Sequence, residues 1–292
     1  MKITRAQNLA CPLDSEPLKE QNGGKQLTCS KGHSFDAARQ GYINLLPVQD
    51  KRSKNPGDSK EMIDARSRFL DSGAYQSISE LCNNVVLDSL TDESVRSFTA
   101  LDAGCGEGYY LDRLAKAAKK APEERFATLA LIGMDISKPA ITAACRRNKH
   151  DITWLVGTNR RPPIRTNTID VILCMFGYPV YEVFKAALKA NGVIILVEAG
   201  PNHLLELREL IYADVKKSNV LNLDTAQHAG FKLIDEHHLM TKTGTLSNAQ
   251  IQDLFLMTPH YFKSTNEQKA TVAQAGGVDM SIDVVLRVLC KT

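Results

Sequence analysis

Leu101-Asp102-Ala103-Gly104-Cys105-Gly106-Glu107-Gly108-Tyr109-Tyr110 sets three glycines and two carboxylates between a strand and a helix. Upstream, Val95-Arg96-Ser97-Phe98-Thr99-Ala100 is apolar enough for a buried strand. Downstream, Leu111, Leu114, Ala115 and Ala118 recur at spacings of three and four, the period of an amphipathic helix. The glycines therefore fall at a strand-to-helix turn. Glycine takes positive φ without steric cost and lets a ligand approach the backbone closely. The helix start beyond it presents free N–H groups.

The spacing is G-x-G-x-G, not the G-x-G-x-x-G of dinucleotide binders. Downstream, Leu129-Ala130-Leu131-Ile132-Gly133-Met134-Asp135 reads as a second strand ending in an acid. A carboxylate there accepts hydrogen bonds from both ribose hydroxyls of a nucleoside. With Asp102 two residues before the first glycine, the stretch resembles motif I of class I S-adenosylmethionine (SAM) methyltransferases. Taken alone, the glycine run also suits a turn in some other α/β domain.

At 292 residues the chain accommodates one large domain and a small one. Hydrophobic residues at 43% and charged residues at 24% are those of a globular protein. No run approaches the length of a membrane span. Met1-Lys2-Ile3-Thr4-Arg5-Ala6-Gln7-Asn8 lacks the apolar core of a signal peptide, so a cytoplasmic address is expected. The seven cysteines then read as thiols or metal ligands rather than disulfides. Cys82, Cys105, Cys145, Cys174 and Cys290 lie in apolar or loop contexts and read as packing residues. A net charge of only +3 says little about nucleic acid.

Residues 1–36 read as a small Cys/His module. Cys11-Pro12-Leu13-Asp14 and Cys29-Ser30-Lys31-Gly32-His33 flank a turn at Gly23-Gly24. Such spacings place ligands on two tight turns facing one ion. Asp14 stands where a zinc knuckle has cysteine. Three readings follow: zinc held by Cys11, Asp14, Cys29 and His33, three ligands plus water, or a metal-free remnant.

Residues 37–94 read as linker and helices. Asp50 to Gly57 is basic and carries proline and glycine. Asp58, with Glu61 three residues on, suggests a capping box for a helix ending near Asp71. Lys51, Arg52, Lys54, Lys60, Arg66 and Arg68 form a candidate phosphate-contacting surface, and a solvated charged face is the plainer alternative. Another helical pattern spans about 76–94. Residues 95–292 then alternate apolar strands with helices, including a helix from Tyr181 to Ala190 turned by Asn191-Gly192. That alternation predicts a Rossmann-like, doubly wound, mostly parallel sheet.

Ligands in such sheets bind beyond the carboxyl ends of the strands. Gly104, Gly106, Glu107 and Gly108, with Asp102, are expected at the methionine end of the cofactor, and Asp135 at the ribose. The loop Gly157-Thr158-Asn159-Arg160-Arg161 is expected beside the adenine. Gly177-Tyr178-Pro179-Val180 follows the fourth strand, where the methyl group leaves. Phe176, Tyr178 and Tyr181 there could stack on an extruded base or simply pack. No nucleophile set is spelled out, and a one-step displacement from sulfonium needs mainly alignment. The sequence does not pick a catalytic base.

The chain also resembles the bacterial 23S rRNA guanine-N1 methyltransferases, the RlmA family. The matching stretches are Cys11-Pro12-Leu13, Cys29…His33-Ser34-Phe35-Asp36, Gly41 to Gln49, Pro56-Gly57-Asp58-Ser59, Ala65-Arg66, Phe69 to Gly73, Asp102 to Tyr110, Gly200-Pro201-Asn202-His203-Leu204 and Met257-Thr258-Pro259. The resemblance implies a zinc-binding module joined to a class I SAM-dependent domain, a guanine in a hairpin loop of large-subunit rRNA as substrate, and a homodimer. It implies cofactor contacts from Tyr75 and His203, while Asn159 is expected as a contact from the loop placed beside the adenine. Family members usually carry Ser-Ser-His-Arg where this chain has Thr158-Asn159-Arg160-Arg161, and cysteine where it has Asp14. A small-molecule methyltransferase and a catalytically silent RNA-binding protein are the rival readings. The first would show no salt-sensitive RNA affinity.

Overall fold

The computed structural model of the chain describes residues 3, 6–51, 53, 56–90, 97–123, 126, 128–215 and 222–292. The ribbon at the start is a three-stranded antiparallel sheet of β1 (Lys19–Gln21), β2 (Gln26–Thr28) and β3 (Ser34–Asp36). Then come β4 (Tyr42–Asn44), α1 (Lys60–Asp71) and α2 (Gln76–Asp88). The alternating region follows with β5 (Thr99–Ala103), α3 (Tyr109–Lys120), β6 (Ala130–Asp135), α4 (Lys138–Arg147), β7 (Ile152–Val156), β8 (Ile169–Met175), α5 (Tyr181–Ala187), β9 (Leu188–Ala199) and α6 (Leu205–Ile211). Last are α7 (Asp224–His228), β10 (Phe231–Leu246), α8 (Asn248–Leu256), α9 (Pro259–Lys263), α10 (Asn266–Gln274) and β11 (Val278–Lys291).

Eight strands form one sheet in the order β10-β11-β9-β8-β5-β6-β7-β4. The pairs from β4 to β9 are parallel, and β11 runs antiparallel to both β9 and β10. Alternate residues of a strand face opposite sides. In β9, Val193, Ile195 and Val197 enter one apolar cluster while Ile194 and Leu196 enter the other. The first cluster packs α1, α2, α3 and α8 on the sheet. The second joins Phe184 and Phe231 to Leu9, Leu18 and Leu27 of the ribbon region. The ribbon thus borrows the core of the larger sheet.

Several expectations are corrected here. Tyr42–Asn44, inside the stretch read as linker, pairs with Trp154–Val156 as an edge strand of the main sheet. Helix α1 is capped by Ser59, whose hydroxyl accepts from Met62 N–H at 3.3 Å, because Asp58 is turned to Arg66 instead. Helix α5 stops at Ala187. Leu188 already pairs with Ile169, and the register slips before Val193, so Asn191-Gly192 sits in a bulge rather than a turn. Lys189 Nζ closes that bulge on the Asp170 carboxylate at 2.8 and 2.9 Å. Residues 91–96, read as part of the first strand and of the preceding helix, lie outside the described residues, as do Arg52 and Lys54 of the basic segment.

Trp154 is the pillar of the first cluster, fully buried with its Nε1–H donated to Asn148 O at 2.6 Å. A Cβ at Gly133 would lie 2.2 Å from its Cζ3, and one at Gly108 2.6 Å from its Cη2. Gly133→Ala should therefore cost at least the upper end of the about 1–3 kcal/mol typical of overpacking. The melting point should fall by roughly 6–10 °C. Trimming the ring in a Gly133→Ala/Trp154→Leu double variant should cost less than the two single losses summed. Additive losses would show that the two residues do not oppose each other.

Candidate cofactor cleft and metal cluster

The sheet reverses its winding between β5 and β8. From β5 the chain moves out through β6 and β7, then returns to place β8 on the other side. A crevice opens at the carboxyl ends of strands at such a switch point. Here it is a cleft of about 1030 Å³. Its floor is the glycine loop, its roof is α1 with the end of α8, and its mouth lies between the β8–α5 loop and α9.

Gly104 has φ +101° and Gly106 φ +55°, conformations that favour glycine. A Cβ on Gly104 would meet only Asn159 Nδ2 at 3.9 Å, and one on Gly106 only Arg66 Nη1 at 3.5 Å, so both backbones stand open to a ligand. Gly108 does not line the cleft. Its φ is +84°, and its missing side chain makes room for Trp154. Asn159 also stands outside the lining, donating its Nδ2–H to Ala103 O at 3.0 Å and bracing the loop from behind.

Acids dominate the cleft. Asp102 is buried, and neither carboxylate oxygen has a hydrogen-bond partner. Burial, with help from Asp135 and Glu107, pushes its carboxyl up to about 8. Asp135 is held by two backbone donors, Ser137 N–H to Oδ1 at 2.7 Å and Gly106 N–H to Oδ2 at 3.0 Å. Each oxygen keeps a further acceptor position. Burial raises Asp135 and Glu107 as well. Glu107 accepts from Tyr109 N–H at 2.7 Å and from Arg147 at 3.2 Å. Asp58 and Glu198 complete the set, and Arg66 is the only arginine or lysine among the described lining residues. Its Nη1 pairs with Asp58 at 2.6 Å.

SAM fits this donor set. It carries a sulfonium and an α-ammonium against one carboxylate, so an anionic cleft attracts it. The orphaned Asp102 carboxylate is the kind of buried group that a ligand cation satisfies. Tyr75 and His203, expected from resemblance, are brought together here. His203 Nδ1 accepts from Asp283 N–H at 3.3 Å, so the neutral ring carries its proton on Nε2. Nε2–H then donates to Tyr75 Oη at 3.1 Å, leaving the tyrosine hydroxyl proton for the cleft. Burial lowers His203 to about 4, so it is neutral at physiological pH.

At the mouth, Phe176 takes φ +51°, a costly conformation for a bulky residue. Its amide donates to Val197 O at 2.8 Å and its ring stacks on His203 with centroids 5.8 Å apart. Tyr178 is 87% and Phe262 64% exposed. Tyr181, expected with them, is instead buried against Phe231 in the second cluster. Of the basic surface, Lys60 pairs with Asp64 and Arg68 grips Asp253 of α8 through two nitrogens at 2.5 and 2.9 Å. The Arg68–Asp253 pair clamps α1 to α8 across the roof, whereas Lys60–Asp64 lies within α1. The sequence reading missed Glu198, His260 and Phe262 as lining residues. The one signal was Met257-Thr258-Pro259, which ends beside His260.

In the ribbon, Cys11, Asp14, Cys29 and His33 each offer a ligand atom, all within 4.8 Å of one another. Cys11 Sγ and Cys29 Sγ lie 3.4 and 3.5 Å from His33 Nδ1. Cys29 Sγ lies 3.4 Å from Asp14 Oδ2, and Asp14 Oδ2 2.9 Å from His33 Nδ1. A zinc tetrahedron with bonds of about 2.0–2.3 Å has edges of roughly 3.3–3.8 Å. Three of these four separations fall in that range and one is shorter, and the remaining two stay within 4.8 Å, so the residues fit a zinc ion. Bound zinc would tie the two ligand-bearing turns of the ribbon together.

Comparison with known proteins agrees with both halves. Residues 9–54 match the family described as RlmA, N-terminal, a zinc ribbon. Residues 100–192 match a methyltransferase domain family. A Bacillus subtilis protein named as a candidate 23S rRNA (guanine-N1)-methyltransferase, YxjB, is 28% identical over 94% of both chains. A Streptomyces fradiae protein named 23S rRNA (guanine(748)-N1)-methyltransferase is 29% identical over 68% of this chain and 66% of its own. Among solved structures, the YcgJ protein of B. subtilis covers 70% of this chain and 97% of its own, at 18% identity and a TM-score of 0.41. The chain has a class I SAM-dependent methyltransferase fold preceded by a zinc ribbon.

Proposed function

We propose that this chain, which belongs to the RlmA family, transfers a methyl group from SAM to N1 of a guanine in a hairpin loop of 23S rRNA. What carries the reading is the union in one chain of an RlmA-type ribbon and a methyltransferase domain, with relatives named for this reaction. The cleft supports it. Bound SAM would supply an electrophilic methyl on sulfur. Asp102 would take the ammonium and the open acceptor positions of Asp135 the ribose hydroxyls. Gly104 and Gly106 allow close approach, while Tyr75, held by His203, offers its hydroxyl proton. Phe176, Tyr178 and Phe262 provide aromatic faces for an unstacked base, the usual way RNA loops are read. Cys11, Asp14, Cys29 and His33 would hold zinc and keep the ribbon as an RNA-gripping arm. A cytoplasmic address and a homodimer belong to the same reading. Among the described residues no helix is long and apolar enough to cross a membrane.

The test is methyl transfer from labelled SAM to unmodified large-subunit rRNA, beside a small-molecule extract of the same cells. Label in RNA, with RNA affinity falling steeply as salt rises, is the expected result. Label confined to the small-molecule fraction would replace the substrate class.

A further inference from the structure

We propose that His260 is the base that takes the N1 proton of the target guanine, a role that rests on the guanine-N1 reading. N1 of neutral guanine carries a hydrogen, so alkylation there must shed a proton to a group at the acceptor end of the cleft. Most ionisable groups that line the cleft are already engaged. Asp135 is tied to two backbone amides, Glu107 to Arg147, Asp58 to Arg66, and His203 Nε2 to Tyr75. Asp102 sits at the glycine loop. Glu198 gives one oxygen to Arg287 at 3.0 Å, while burial raises its carboxyl and its other oxygen has no partner, so it is the rival base that the experiment below separates from His260.

His260 differs. It lines the mouth on α9, two residues from the exposed Phe262, in the same cleft lining as Tyr178. Its ring is fixed from behind by Tyr212, with Oη 3.0 Å from Nδ1 and the two rings edge to face, centroids 5.6 Å apart. Nε2 has no partner among the described residues. In the tautomer in which Nδ1–H donates to Tyr212 Oη, Nε2 presents a lone pair, and this is the tautomer the proposal requires. Burial first, then Arg208 on α6 and Lys263 on α9, lowers its affinity for protons, so the ring is neutral at physiological pH. Those two cations, with Tyr212 and neutral His203, are the titratable or charged groups tied to it across α6 and α9.

The step balances. The guanine N1–H bond breaks and its proton goes to His260 Nε2. The N1 electron pair bonds the methyl carbon, and the pair of the breaking carbon–sulfur bond stays on sulfur. The charge lost by the sulfonium appears on the imidazolium, which then releases its proton to solvent.

His260→Ala and His260→Gln should lower single-turnover methylation of the hairpin on the order of 10²-fold or more, with cofactor affinity unchanged. Imidazole added to the alanine variant should restore part of the rate. The wild-type rate should fall on acidification below the ordinary histidine range, and this limb should vanish in both variants. Independently of turnover, the His260 ring signals in an NMR spectrum should shift when the hairpin joins the S-adenosylhomocysteine complex. If the wild-type chain methylates guanine N1 but both His260 variants match it, or if Glu198→Gln rather than the His260 variants removes the acid limb, the assignment is overturned. A wild-type chain that makes no 1-methylguanosine would instead overturn the guanine-N1 reading itself.

Discussion

Asp102→Asn should bind S-adenosylhomocysteine roughly 10²- to 10³-fold more weakly than the wild-type chain while its ligand-free fold becomes more stable. The two effects share one cause. Asp102 is buried with both oxygens unpartnered and its carboxyl pushed up to about 8. Its folded value lies above the unfolded one, so its contribution to stability is fully present below about 4. That contribution is lost as pH rises towards 8. The ligand-free wild-type chain should therefore melt lower at pH 9 than at pH 6. The asparagine variant should show a smaller slope, the remainder coming from Asp135 and Glu107, raised in the same direction. A bound α-ammonium favours the ionised carboxylate, so saturating S-adenosylhomocysteine should flatten the slope in the wild-type chain. Removing one partner of a buried charge pair costs about 3–5 kcal/mol, the source of the affinity figure. Melting scans at the two pH values, with and without the product, measure both effects together. Unchanged product affinity in the variant would place the ammonium elsewhere.

Metal removal should have the second large effect. Structural zinc contributes on the order of 10 kcal/mol where it holds a small module together. The purified chain should carry one zinc, and a strong chelator should unpair β1, β2 and β3. The apolar cluster shared by Leu9, Leu18 and Leu27 with the main sheet should let the methyltransferase domain survive. Asp14→Cys should resist chelation better than the wild-type chain, and Asp14→Ala should lose zinc at roughly tenfold lower chelator concentration, because thiolate is the better structural ligand and water the poorer. The readout is zinc released against chelator, followed by backbone amide exchange in the ribbon. Equal retention in all three chains would remove Asp14 from the ligand set.

Much of this was legible in the sequence because the signals are local. The glycine run, the strand-end Asp135 and the alternating apolar runs each need only a short window, and they lead to the sheet and to the floor of the cleft. What escaped depends on distant pairing. Tyr42–Asn44 is too short to show a strand period, and only its register against Trp154–Val156 makes it one. The role of Gly108 turned on Trp154, a contact no spacing reveals. Ser59 took the cap because Arg66, a full turn or more along α1, drew Asp58 away. Tyr181 read like its neighbours Phe176 and Tyr178, yet the start of α5 points it to the opposite face of the sheet. The mouth of the cleft is built from residues near 176, 198 and 260, so its chemistry appears only after folding.

The most direct measurement of the central claim is the position of the transferred methyl group. A 23S rRNA hairpin treated with the chain and SAM would be digested to nucleosides for mass spectrometry and, in parallel, copied by reverse transcriptase. A methyl on N1 blocks the Watson–Crick edge, so 1-methylguanosine together with a stop at one loop guanine is the predicted outcome. A methyl found on another atom or another base, or RNA returned unmodified by a chain that binds SAM, would contradict the account.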